Sequence, residues 1–274
     1  TISCTGGSAA NYTFTTTATA TATVTQAPLV IAPDAKSVTY GDNAPTLTFA
    51  INGWVNSQNT STAAGYVAPT CSTSPSYTTT TAAGTAVTIS CSGASATNYS
   101  FTSSTAALTI NKISTLTITA ANRSITYGAS TPSNSVTTAG LSTGDAISSL
   151  TYTYAGTGST TYASSTTAPV LPGTYSITPS AVVFSGSGST NNYTTITYVA
   201  GTYTIAAATL AITAASPSSI IYGASTPANS YTTTGLNASD SITGITYNYA
   251  GTGSTTYGPS TTAPTAAGTY SVTP

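Results

Sequence analysis

The chain has 274 residues, of which only three are Lys or Arg and four are Asp; the formal net charge is −1 and His is absent. This balance gives no electrostatic footprint for nucleic acid or an anionic membrane. With neither His nor Glu, general acid–base chemistry would fall to scattered Asp, Lys, Tyr and Cys, so neither an enzyme nor a cofactor is expected.

Thr and Ser dominate, and charged residues make up 3% where soluble domains carry roughly a quarter. Disorder would require low hydrophobicity and high net charge; here Val, Ile, Leu and Tyr recur on alternate positions, the pattern of strands. The expected fold is all-β with a hydroxyl-coated surface. No run of eighteen apolar residues occurs, so no membrane insertion is expected in this segment.

Residues 1–27 read as the closing strands of an incomplete repeat. Tyr12 and Phe14 alternate, then Ala20, Ala22 and Val24. TISCTGGSAANYTF at the start aligns with TISCSGASATNYSF at residues 88–101, so the chain reads as a window on a longer array. A subunit whose first segment completes a neighbour's last domain is the alternative.

A short motif then organises the chain. SVTYGDNAP (37–45) returns as SITYGASTP (124–132) and SIIYGASTP (219–227), spaced by 87 and 95 residues. Tyr40, Tyr127 and Tyr222 end a strand. Gly41, Gly128 and Gly223 permit a turn most residues resist, and Pro45, Pro132 and Pro227 bar further pairing. Three copies predict tandem modules: repeat one over 28–112, repeat two over 113–208, and a truncated repeat three over 209–274. One copied module predicts like environments for the three tyrosines.

Within repeat two, strands are predicted near 116–120, 135–138, 149–154 and 174–184. A hairpin turning near Gly201 is predicted over 195–205. Six or seven short strands per module predict tandem Ig-like β-sandwiches. Only about five residues separate Ile110 from Leu116, which predicts domains of about 35 Å set end to end in a rod.

The Ile-Thr-Tyr-Gly opening, Pro132, the Gly-Leu-x-x-Gly-Asp turn (140–145), the Gly-Thr-Tyr strand (173–175) and the Asn192–Tyr193 pair resemble the MBG ("mostly beta, glycine-rich") domain. Repeat one departs from this pattern, with Trp54 and Gln58 where Leu141 and Asp145 stand. The resemblance implies tandem arrays in large secreted or surface-attached bacterial proteins, some adhesin-like. It carries over no catalytic site.

Cys71 and Cys91 are expected to bridge, closing a loop of about 21 residues; two buried free thiols are the alternative. Cys4 aligns with Cys91, which puts its partner outside the chain. Three cysteines without His do not make the usual zinc site, and one Asp per module reads as a turn-former rather than a calcium ligand. Asp34 and Asp42 with Lys36 read as a surface ion cluster. Trp54, at a predicted loop, is the candidate contact point. Asn11, Asn59, Asn98, Asn122, Asn192 and Asn237 begin sequons and are candidate glycan carriers.

The reading is a structural segment of an extracellular fibre, stalk or adhesin shaft. Its partners are neighbouring repeats, with identical fibres lying laterally. A module gripping a surface glycan and a filament subunit assembled by strand complementation are the alternatives.

Overall fold

A computed structural model describes residues 1–15, 19–215 and 218–274. They form two compact units. One comprises Thr1–Ile118, Thr138–Leu150 and Ala181–Tyr198; the other comprises Thr119–Thr137, Thr151–Ser180 and Val199–Pro274.

The fold is an all-β sandwich type. Repeat one contributes β1 (Ala27–Pro33), β2 (Lys36–Thr39), β3 (Phe49–Asn52), β4 (Thr70–Ser74), β5 (Val87–Ser92), β6 (Tyr99–Ser103) and β7 (Thr105–Asn111). Repeat two contributes β8 (Ile113–Ala120), β9 (Arg123–Thr126), β10 (Val136–Ala139), β11 (Asp145–Gly156), β12 (Gly173–Gly186), β13 (Tyr193–Val199) and β14 (Gly201–Ala206). A short 3₁₀ turn, Thr190–Asn192, precedes β13. Repeat three contributes β15 (Ala211–Ala214), β16 (Tyr231–Thr234), β17 (Asn248–Gly251) and β18 (Tyr270–Thr273).

Strand order is copied between the first two repeats. Repeat one has sheets β3-β1-β6 and β2-β7-β5-β4; repeat two has β10-β8-β13 and β9-β14-β12-β11. Period-2 alternation produces this directly. In β5, Val87, Ile89 and Cys91 face inward while Thr88 and Ser92 face solvent.

In the first unit, Val38, Tyr40, Val87, Ile89, Leu108 and Ile110 form one core cluster, and Leu29, Ala63, Ala96 and Tyr99 form another. In the second unit the core is Ala120, Tyr154, Tyr175, Ile177, Tyr203 and Ile205. Full burial of an aliphatic chain such as Ile89 or Ile205 contributes about 1.5–3 kcal/mol.

Three expectations change. The predicted 195–205 hairpin is not one, because β13 and β14 belong to different sheets. Gly201 marks the crossing: a Cβ there would lie 2.6 Å from the Ala120 carbonyl oxygen, so only Gly passes. Residues 1–26 form no strands among those described. They hold the bridges Ile2–Ala20 and Ala9–Tyr12, and Val24 is 96% exposed. Two strands without an opening half have no face to bury against. The alternation expected through residues 15–25 includes 16–18, which lie outside the described residues.

The third change concerns repeat three. It carries counterparts of β8, β10, β11 and β12, but among the described residues none of β9, β13 or β14. Residues 219–222, equivalent to 124–127, form no strand.

Candidate functional site: the joint between consecutive repeats

The Tyr-Gly motif ends a strand in the same way in repeats one and two. Strand β2 runs parallel to β7, and β9 runs parallel to β14. The last pairing bonds come from the tyrosines themselves: Tyr40 N–H donates to Asn111 O and Tyr127 N–H to Ala206 O, both at 2.8 Å. The chain then turns through Gly41 at φ +90° and Gly128 at φ +83°, the left-handed region that costs a side chain about 1–2 kcal/mol.

Each turn meets the Gly-Leu-x-x-x-Asp loop of the following repeat. The Tyr40 hydroxyl donates to Asp145 Oδ1 at 2.6 Å, and the Tyr193 hydroxyl donates to Asp145 Oδ2 at 2.5 Å. One carboxylate thus holds a tyrosine from each of two repeats. The loop presents it through a tight turn, with Asp145 N–H bonded to Ser142 O at 3.0 Å. Tyr193 in turn accepts from Ser142 N–H at 3.2 Å and stacks on Phe184 with ring centroids 5.6 Å apart. A second contact lies alongside: Ala83 N–H donates to Asn192 Oδ1 at 3.1 Å.

The loop also fills the space beside the turn. A Cβ on Gly41 would strike Ser142 Oγ, and one on Gly128 would lie 2.8 Å from Asn237 Nδ2. Ser142 and Asn237 occupy the same place in their loops.

The same bond recurs 87 residues on, where the Tyr127 hydroxyl donates to Asp240 Oδ1 at 3.0 Å. Asp240 is exposed, whereas Asp145 is buried. Burial, and after it the bond to Asp145, raises the Tyr40 pKa; the same causes push Tyr193 up strongly. For Tyr127 the bond to Asp240 is the main cause of a raised value. In each case the neutral hydroxyl is the favoured form.

Repeat one preserves the receiving half of this arrangement in neutral form. Gln58 stands at the Asp145 position, its N–H bonded to Val55 O at 3.1 Å. Gln58 Oε1 accepts from the Tyr99 hydroxyl at 2.7 Å, as Asp145 accepts from Tyr193.

The expectation of like environments therefore holds for two tyrosines and fails for the third. Tyr40 is 2% exposed and Tyr127 half-buried, but Tyr222 is 78% exposed and Gly223 has open space around it. The strand and loop that cover Tyr40 and Tyr127 have no counterpart on repeat three among the described residues. Pro45 and Pro227 are half-buried and Pro132 is exposed.

The other predicted positions separate clearly. Cys71 and Cys91 form a disulfide, facing each other across the β4–β5 pair. Cys4 is exposed and unpaired within the chain. Trp54 is not the exposed contact point expected of a loop residue. It is half-buried, edge-on to Tyr99 at 5.0 Å and to Tyr66 at 6.0 Å.

Asp145 is a buried acceptor rather than a mere turn-former. Asp34 takes the Thr48 hydroxyl and Asp42 the Thr39 amide, so both carboxylates are engaged by neutral donors. Asn192 is 1% exposed, which leaves no room for a sugar, while Asn11, Asn59, Asn98 and Asn122 are exposed and Asn237 half-buried. Among the described residues no cluster of three His, Cys, Asp or Glu side chains is placed to hold a metal ion. No helix there is long and apolar enough to cross a membrane.

Sequence reading did not single out Tyr193, Asn192 or Ser142 as joint residues. The available signal was that Asn-Tyr and the carboxylate or amide at 58 and 145 travel together in each repeat.

No curated protein and no solved structure matches the chain. The MBG domain family (YGX type) matches twice, over residues 29–109 and 116–204, and each match contains a Tyr-Gly pair. These matches cover more than half of the sequence, and the chain belongs to the MBG domain family.

Proposed function

We propose that this chain is a segment of the shaft of a bacterial surface protein, in which MBG repeats in series build length and hold a distal part away from the cell. The observation that carries this reading is the repeated bond between consecutive modules, Tyr40 to Asp145 and Tyr127 to Asp240. A module built to bind a ligand would vary its loops and keep them free. Here the Tyr-Gly turn and the Asp loop of successive repeats are committed to each other.

Two further features support it. The Cys71–Cys91 disulfide suits an oxidising, extracellular location. Trp54 and the tyrosine pairs Tyr162–Tyr175 and Tyr257–Tyr270 turn their rings to one another rather than forming a sugar platform.

Small-angle scattering on the whole chain tests the reading. Three modules of about 35 Å in line predict a radius of gyration near ~30 Å, against ~19 Å for one compact globule of this length. The compact value would contradict a shaft. Tight binding of the chain on a glycan array would replace the shaft with an adhesive module.

A further inference from the structure

We propose that the third repeat carries a strand-acceptor groove between residues 219–222 and β18. Its occupant is a Gly-x-Tyr-x-Ile strand of another MBG repeat, entering in trans. The inference rests on the correspondence between repeats two and three, not on the shaft reading.

Repeat two shows the filled form. There β14 lies between β12, antiparallel with Tyr203 opposite Tyr175, and β9, parallel with Ile205 opposite Ile125. Tyr203 is fully buried, its ring 6.3 Å from those of both Tyr154 and Tyr175. Tyr127 N–H closes the far end on Ala206 O.

Repeat three keeps both walls without the strand. Tyr257 meets Tyr270 edge-on at 5.7 Å, as Tyr162 meets Tyr175 at 5.6 Å. The Tyr270 hydroxyl donates to Ala266 O at 2.8 Å, as Tyr175 does to Leu171 O at 2.7 Å. Asn229 donates to the Tyr249 hydroxyl, as Asn134 does to Tyr154. Between the walls lies a groove of ≈ 920 Å³, lined by Ile220, Ile221, Tyr222, Tyr249, Tyr270 and Val272.

The walls stand preformed, so a strand from outside has little left to order. Both edges offer backbone groups to it: β18 pairs only with β17 among the described residues, and residues 219–222 pair with no strand. This is recognition by strand addition, with main-chain bonds giving affinity and alternate side chains giving selectivity. The selective position is the tyrosine, whose slot lies between Tyr249 and Tyr270.

The chain's own exposed segment sharpens the point. Val24 precedes Leu29 by five residues, as Ile205 precedes Leu210, which puts Ala22 at the Tyr203 position. That segment has the alternation but not the ring, and it is a poor ligand for the groove.

The test mixes the full chain with a labelled peptide of residues 199–207 (VAGTYTIAA) and reads anisotropy and hydrogen exchange. Binding at micromolar Kd is expected, with new amide protection confined to residues 219–222 and 270–273. The peptide carrying Tyr203→Ala and a peptide of residues 19–27 (TATATVTQA) are each expected to bind at least tenfold more weakly. Because the substitution sits in the peptide, folding of the protein is unaffected. Absence of binding, equal binding by either comparison peptide, or protection elsewhere overturns the proposal.

Discussion

The hydroxyl of Tyr40 lies 2.6 Å from Asp145, a residue 105 positions later in the sequence and in the next repeat. With Tyr193 bonded to the other oxygen, the carboxylate is acceptor to both modules at once. Removing it leaves two hydroxyls without their acceptor in a buried place. Asp145→Ala is therefore expected to destabilise the first unit by about 1–3 kcal/mol, measured by urea unfolding. Asp145→Asn keeps one acceptor oxygen and is expected to fall between wild type and Ala.

The turn glycines separate backbone strain from contact with the neighbouring loop. Gly41→Ala, Gly128→Ala and Gly223→Ala all place a side chain at positive φ, costing about 1–2 kcal/mol each. Only the first two also press on a following loop, at Ser142 and Asn237. Both are expected to lower thermal stability more than Gly223→Ala. Equal losses at all three positions would mean that the loops yield without cost.

Stability should fail at alkaline pH. Tyr40 and Tyr193 have raised pKa values in the fold, chiefly from burial. The sign follows: below the ordinary tyrosine value of about 10 both folded and unfolded chains keep the proton, and the stabilisation is complete. Above it the unfolded chain ionises first, and stability falls as pH rises toward the folded values. With no His in the chain, Tm should be level between pH 5 and 8 and decline above about pH 10. Tyr193→Phe should flatten that decline. A Tm that moves by many degrees between pH 5 and 8 would contradict this.

The disulfide should matter locally. Cys71 and Cys91 are 20 residues apart, and a loop of that size contributes about 3 kcal/mol in the chain-entropy model. The double substitution Cys71→Ser, Cys91→Ser is expected to lower the stability of the first unit by about that amount. The variant's melting should then be insensitive to reductant.

Local pattern carried the strands, the repeats and the cysteine pair into view. Val87, Ile89 and Cys91 alternate visibly, and Cys91 on a strand has a single candidate partner within its module. Partnership between distant strands was not legible. Ile196 and Tyr198 alternate as well as Tyr203 and Ile205 do, but alternation does not say which sheet a strand joins. That was decided by Gly201 slipping beneath the Ala120 carbonyl. Asp145 looked like an ordinary turn residue because its turn is real; its second role depends on Tyr40 and Tyr193, which only folding brings to it. Trp54 misled because a lone tryptophan between turn residues looks exposed, and its aromatic neighbours Tyr66 and Tyr99 are remote in sequence.

The central claim is that successive repeats are coupled through the Tyr-Gly turn and the Asp loop. A double-mutant cycle on Tyr40→Phe and Asp145→Ala, followed by equilibrium urea unfolding, tests it most directly. A coupling energy of about 0.5–3 kcal/mol is predicted. Strictly additive losses would contradict the claim and reduce the 2.6 Å contact to mere adjacency.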